Sequence, residues 1–377
     1  MGRNLYAGAH PEATRQIKDL VEATIQGDRI KKEVLLERLG TIDGVTAFAN
    51  LTNVKLQGSY ATAPKIWPRF AQRTTVADFR DISWGSLGED FSNFKVADKG
   101  VVRAPGTLPK VAEGEAYQAF SLTSSSLGWS VDKFGAQIGF TWEHFVNDPF
   151  NTVARIPGIL LNAATKTEDA TATRALYVAA NANTHLQAVS APNSLTGVAV
   201  AVNAPLTFDS LTEAKRQYRA KKDARGNYVV TGRLVLIVGP GLTSVAESIL
   251  AQTTILRQNG SATNFTQTQS TPTLGDISIV ENPYLDFFAG NSTTWILAPE
   301  GGDSGTGDPT IAYAFLAGEE EPEIRVSGLA GYTLSGNALP FTSGSFDRDT
   351  FDLRIRTVGG SGAVNSAPLL LSNGTGA

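Results

Sequence analysis

Apolar positions change period several times along the chain, and each change marks a new part. Pro11 to Gln26 and Asp28 to Leu39 carry apolar residues at helical spacing, with Ile17, Leu20, Val21 and Ile25 on one face of the first helix and Ile30, Val34 and Leu35 on one face of the second; Gly27 separates them. From Val76 to Glu143 the period falls to two. Within it, Ser130 to Glu143 reads as a strand, Phe134, Ala136, Ile138, Phe140 and Trp142 sharing one face. Phe79 to Trp84, Phe91 to Val96 and Val111 to Leu122 are the other extended segments. The period then returns to 3.6 for the longest element, a helix predicted over Asp148 to Asn181, with Asn147 or Asp148 as its cap and Pro149 in its first turn. Its inward stripe is read as Val153, Ile156, Leu160, Ala163, Thr167 and Ala170. Pro157 lies inside it, removes one backbone hydrogen bond and is expected to kink it.

Beyond Asn181, a small-residue loop runs to Pro205, and helices and short strands then alternate. Leu206 to Leu211 opens a helix with Leu211, Ala214 and Tyr218 inward, Arg233 to Gly239 is a buried strand, and Leu242 to Arg257 is a helix. The polar stretch Asn259 to Leu274 reads as an exposed loop. Asp276 to Glu281, Thr293 to Ala298, Ile311 to Leu316 and Glu323 to Val326 are short strands. Asp347 to Val358 alternates again, with Phe351, Leu353 and Ile355 on one face. It has no neighbour in sequence to pair with and is expected to rejoin the first sheet.

One segment asks for a partner. Ala63 to Pro68 holds two prolines and forms a stiff joint, and between it and the long helix lies a hairpin-like excursion carrying Trp84, Phe91, Phe94, Tyr117, Phe120 and Trp129. Two strands cannot bury that many aromatic rings on each other. The excursion either folds back on its own domain or lies on a neighbouring subunit.

Composition narrows the function. With 377 residues and 42% apolar content the chain holds more than one core, and 32 basic against 36 acidic residues leave a formal charge of −4, unlike a surface built throughout for nucleic acid. Cysteine is absent, so disulfides and thiolate chemistry are excluded. No apolar run approaches the ~20 residues of a membrane span, and no signal segment opens the chain. Candidate chemistry is sparse. His10, His144 and His185 fit no zinc or triad spacing. Val238 to Ser244 lacks the lysine of a phosphate loop and the third glycine of a dinucleotide site. The Gly301 to Asp308 run does not match a calcium loop, and Glu319 to Glu323 reads as a solvated acidic turn. Neither enzyme, cofactor nor metal is expected.

The order of the parts resembles a family, the HK97-like major capsid proteins of tailed bacteriophages, actinobacteriophage type. The resemblance is carried by Val111 to Tyr117, by Gly139 to Glu143 leading through Val146 to Asp148, by Leu206 to Ala214, Leu234 to Ala246 and Asn282 to Leu285, and by Trp295 to Pro299, Ala314 to Gly318 and Phe351 to Val358. It implies an α+β capsid fold: an N-terminal arm (1–63), a peripheral domain (64–85, 130–204 and 341–365) with a spine helix (148–181), an extended loop (86–129), an axial domain (205–340) and a tail (366–377). The arm is expected to be retained, although some relatives lose theirs. The resemblance further implies assembly of the chain with itself into pentamers and hexamers of an icosahedral shell, localisation to the virion after assembly in the host cytoplasm, and weak non-specific contact with packaged double-stranded DNA. Scaffolding, portal and decoration proteins are further partners of such shells. Trp84, Phe91, Phe94, Tyr117, Phe120, Trp129 and Pro157 are the expected interface and spine residues. A covalent cross-link through Lys95, Lys99 or Lys110 has no assignable asparagine partner. The same fold builds encapsulin compartments, the alternative reading.

Overall fold

A computed structural model describes residues 59–83, 86–90, 113, 121–125, 128–141, 152–183, 185–190, 199–222, 229, 232–251, 255–261, 264–270, 274–305, 308–327 and 350–376. The two N-terminal helices, the helix cap at 147–149 and most of the aromatic excursion lie outside those residues. In chain order, the strands and helices begin with β1 (Gln72–Val76), β2 (Ile82–Ser83), β3 (Ser86–Asp90), β4 (Ser121–Ser125), β5 (Gly128–Trp129) and β6 (Asp132–Thr141). There follow α1 (Thr152–Ala182), α2 (Phe208–Arg219), β7 (Leu234–Val238), α3 (Thr243–Leu250), β8 (Ile255–Ser261), β9 (Asn264–Ser270), β10 (Ile277–Glu281) and α4 (Pro283–Ala289). The last are β11 (Trp295–Pro299), β12 (Ile311–Leu316), β13 (Glu323–Val326), β14 (Thr350–Ala363) and β15 (Leu370–Ser372). The mixture is α+β, as the changes of period predict.

The chain divides into two compact units. The first is Met1–Pro64, Asp132–Thr167 and Leu316–Gly359, and the second is Lys65–Val131, Glu168–Phe315 and Gly360–Ala377. In the first unit, β14 runs antiparallel to β6 from Thr350↔Thr141 to Gly359↔Asp132, and β13 pairs with its other edge from Glu323↔Arg356 to Val326↔Leu353. The late strand does rejoin the early one. Alternation places Leu353 and Ile355 inward with Ile324, and Tyr60, Ile156, Leu160, Leu161 and Ala164 complete that core. Gly135 is required by pairing geometry: a Cβ there would come within 2.7 Å of the Ile355 carbonyl oxygen. The acidic turn is not simply solvated, because Glu319 and Glu323 both bind Arg356, at 2.7 and 2.9 Å.

The second unit is built on the sheet β10-β7-β11-β15, in which β7 runs parallel to β10 and antiparallel to β11, and β11 antiparallel to β15. β7 and β11 are buried along their whole length because both sheet faces are covered. On one face, Leu234, Leu236, Val238, Trp295 and Leu297 meet Leu211, Ala214 and Tyr218 of α2 and Ala246 and Ile249 of α3. On the other, Val235, Ile237, Ile296 and Ala298 pack with Ala172, Leu176, Ala179 and Ala180 of α1 and with Trp67, Phe70, Tyr313 and Phe315. The stem of the aromatic excursion belongs to this unit. Ile82 pairs with Trp129 and Ser83 with Gly128, and then Ser86 to Asp90 pair with Ser125 to Ser121.

Three expectations are corrected. The helix after β7 ends at Leu250, and the polar stretch that follows is a hairpin, β8 pairing with β9 from Ile255↔Ser270 to Ser261↔Asn264. β-branched Thr and Ile, with Thr-Gln alternation, suit a strand as well as a loop. The strand predicted from Phe79 starts at Ile82, since Asp78 accepts from the Arg80 backbone N–H at 3.1 Å and holds a bend ahead of it. The long helix runs from Thr152 to Ala182 with Pro157 inside it. Its buried stripe also differs. Ile156 and Leu160 face inward as predicted, but Ala163 is exposed and Thr167 and Ala170 only half-buried; the stripe runs Leu161, Ala164, Thr165, Glu168, Ala172, Leu176 and Ala179. Steps of 3.6 from Leu161 reach those positions.

Candidate functional site

Of the residues expected at an interface, Trp84, Phe91, Phe94, Tyr117 and Phe120 lie outside the described residues. Trp129 is described. It is half-buried in β5, its ring stands where a Cβ on Gly362 would come within 2.3 Å, and its indole N–H is buried without an acceptor. Only backbone is described for Pro157, within α1. Among the described residues, what the structure assembles is a different cluster, one that the apolar pattern hides.

That cluster is built where α1 turns two carboxylates inward. Glu168 is fully buried and Asp169 nearly so. Facing them, Trp67–Arg69 makes one turn of 3-10 helix with Pro68 in its first turn, and the cap residue Ile66 has no side chain able to bind the free N–H groups. Asp169 supplies the acceptor from over a hundred residues away: its Oδ1 accepts from the N–H groups of Ile66 and Trp67 at 2.9 and 3.0 Å. Glu168 Oε2 accepts from the Trp67 indole N–H at 3.2 Å and pairs with Lys65 Nζ at 3.3 Å. The Trp67 ring stacks on Tyr313 with centroids 5.0 Å apart, and Tyr313 and Phe315 meet at 4.9 Å. Arg73 places its guanidinium 4.9 Å from the centre of the Phe315 ring.

The network continues along α1. The Thr173 hydroxyl donates to the Asp169 carbonyl at 2.6 Å, and the Asn282 amide donates to the Thr173 hydroxyl at 2.7 Å. The Asn282 carbonyl oxygen accepts from Tyr284 N–H at 3.1 Å and so caps α4, whose other end is closed by Gly290 in the left-handed region. Two buried carboxylates thus tie the joint at Lys65 to Arg69, the long helix and α4 together.

The electrostatics of the site follow its burial. Burial raises the Asp169 carboxyl pKa despite its two backbone donors, which act the other way. Burial likewise lowers the Lys65 ammonium pKa against the attraction of Glu168. The Tyr313 hydroxyl is raised by burial and then by the nearby charges of Glu168 and Asp169. The arrangement holds no nucleophile poised beside a base, and its chemistry is fastening. Removing one partner of such a buried pair leaves an uncompensated charge, at about 3–5 kcal/mol. Among the described residues, no group of His, Asp and Glu has metal-binding geometry, and no helix is long and apolar enough to cross a membrane.

A family model described as phage capsid protein matches residues 124–368, well over half of the 377. Many solved structures resemble the chain. The capsid of cyanophage P-SCSP1u is 10% identical, with a TM-score of 0.45 over 82% of this chain and 87% of the other. A structure from Mycobacterium phage Patience is 13% identical, with a TM-score of 0.42 over 88% and 89%. A virus-like particle from Pyrococcus furiosus is 8% identical, with a TM-score of 0.40 over 85% and 97%. No curated protein matches the chain at a significant level.

Proposed function

Since the chain belongs to the phage capsid protein family, we propose that it is the major subunit of a phage head, assembling with itself into pentamers and hexamers that close an icosahedral shell around double-stranded DNA. The observation that carries this is the family match across 124–368, which takes in α1, the late strand β14 with its partner β6, and strands β7, β10 and β11 of the second unit's sheet. Head-to-tail contacts that close into rings are the assembly mode such a subunit needs. The protein is structural, and it resides in the virion. In this reading the chain is an HK97-like capsid fold with arm 1–63, peripheral domain 64–85, 130–204 and 341–365, extended loop 86–129, axial domain 205–340 and tail 366–377.

Within that shell, we assign Trp84, Phe91, Phe94, Tyr117, Phe120 and Trp129 to subunit contacts of the extended loop, and Pro157 to the point where the spine helix bends. Assembly in the host cytoplasm, with scaffolding, portal and decoration proteins as partners, belongs to the same proposal. The family matched is one of phage capsids, which favours a genome-holding head over an encapsulin-like compartment. The buried joint has a role here too: a subunit pulled on by its neighbours gains from carboxylates that pin its longest helix to adjoining segments.

The test is to express the full chain, alone and with the genes beside its own, and to examine the product by sedimentation and negative-stain microscopy. Closed particles protecting DNA from nuclease are expected. A particle that co-purifies with one enzyme and no nucleic acid would transfer the chain to the compartment reading, and a monomer under all conditions would end both.

A further inference from the structure

The charges of α1 are sorted by side. The helix carries five charged residues, Arg155, Lys166, Glu168, Asp169 and Arg174, and both acids are buried while all three bases are exposed. The acids are taken up by the joint. The bases have no ion-pair or hydrogen-bond partner among the described residues, although the chain as a whole is acidic. At 100° per residue, Lys166 stands about 20° and Arg174 about 100° around the helix from Arg155, so the three share one half of its surface at ~17 and ~12 Å intervals along the axis. The exposed positions between and beside them are Gly158, Ile159, Asn162, Ala163 and Val178, none of them acidic and most of them small. Among the described residues of the helix, no acidic side chain is exposed on that side.

We propose that this exposed side of α1 is a nucleic-acid-facing surface, with Arg155, Lys166 and Arg174 contacting the phosphate backbone of packaged duplex DNA irrespective of sequence. The proposal rests on the capsid reading and adds the residues that meet the genome. Duplex DNA presents one negative charge per ~1.7 Å of axis, so cations spaced along one helix find phosphates in any register. Retention inside a closed shell needs no more than this weak contact, since confinement supplies the rest. Exposed Ile159 and Val178 raise a competing occupant, a second copy of the chain, which the test separates.

The experiment compares three full-length, unassembled proteins: wild type, the triple variant Arg155→Gln, Lys166→Gln, Arg174→Gln, and a charge-retaining variant, Arg155→Lys, Lys166→Arg, Arg174→Lys. Each is titrated with a labelled mixed-sequence duplex of about 30 base pairs across a salt series, and each is then assayed for shell formation. Every phosphate that the protein no longer neutralises makes the slope of log K against log salt shallower by about 0.9. The expected result is a slope shallower by about 2–3 in the glutamine variant, wild-type binding in the charge-retaining one, and shells from all three. An unchanged slope, or a wild type that binds no duplex, overturns the proposal. So does a glutamine variant that binds DNA normally and no longer forms shells, which would make the stripe a subunit contact. If the charge-dependent binding is found while wild type forms no shells, the capsid reading fails and the surface stands.

Discussion

Asp169 is expected to act through its oxygen more than through its charge, and two substitutions separate these roles. Asp169→Ala removes the acceptor from the Ile66 and Trp67 N–H groups, bound at 2.9 and 3.0 Å. An unsatisfied buried donor costs about 1–3 kcal/mol. The Trp67 site is buried and the Ile66 site partly so, which gives about 2–4 kcal/mol for the two together. Asp169→Asn keeps an oxygen at the same place and removes a charge whose pKa is raised by burial, so its change is expected to stay within about 1 kcal/mol. A raised carboxyl pKa means that the folded state holds its proton to higher pH than the unfolded one. Wild type therefore gains stability as pH falls through the raised pKa towards 3.8, and Asp169→Asn lacks that gain. The assay is urea unfolding of the unassembled chain, followed by the fluorescence of Trp67 among its five tryptophans. Equal loss in both variants would show that the charge matters, and no loss in the alanine variant would show that Asp169 fastens nothing.

Lys65→Met should destabilise the chain by about 3–5 kcal/mol by leaving buried Glu168 without its cation at 3.3 Å, and Lys65→Met with Glu168→Gln should recover most of the loss in the same unfolding assay. Lys221, which donates to the Leu369 carbonyl, has its pKa lowered by burial to about 8; its unfolded value near 10.5 is higher, so stability should rise between pH 8 and 10.5, and Lys221→Met should flatten that rise in unfolding midpoints. Gly135→Ala should cost about 1–3 kcal/mol, because its Cβ meets the Ile355 carbonyl at 2.7 Å, and slower hydrogen exchange along β6 and β14 in the variant would contradict this. Trp129→Ala should lower particle yield more than it lowers the urea midpoint of the subunit, and equal losses would place Trp129 in the subunit's own core.

What the sequence reveals follows from what apolar periodicity measures. β7, β11 and β14 are legible because burial on both faces, or alternation on one, writes itself into residue choice. α1 is legible in extent but not in orientation: a stripe sought among apolar residues passes through Ala163, Thr167 and Ala170, whereas the buried side admits Glu168, Asp169, Thr165 and Thr173. Their partners sit at 65–67 and 282, and separations of that size leave no local trace. The joint itself is visible in Pro64 and Pro68, but what it is fastened to is not. α4 has a readable start and end, with Asn282 as cap, Pro283 in the first turn and Gly290 past the last, and it is too short for periodicity to single out. The β8 and β9 hairpin escapes a reading by composition because Thr, Gln and Ser serve a two-stranded ribbon and a loop equally.

The claim on which the rest depends is that this chain closes a shell. A cryo-EM reconstruction of particles purified from cells expressing the full chain tests it most directly. The expected result is an icosahedral map in which five-fold and quasi-six-fold rings of this one subunit enclose DNA density. Particles without closed symmetry, or a chain that stays a monomer at every concentration tried, would contradict it.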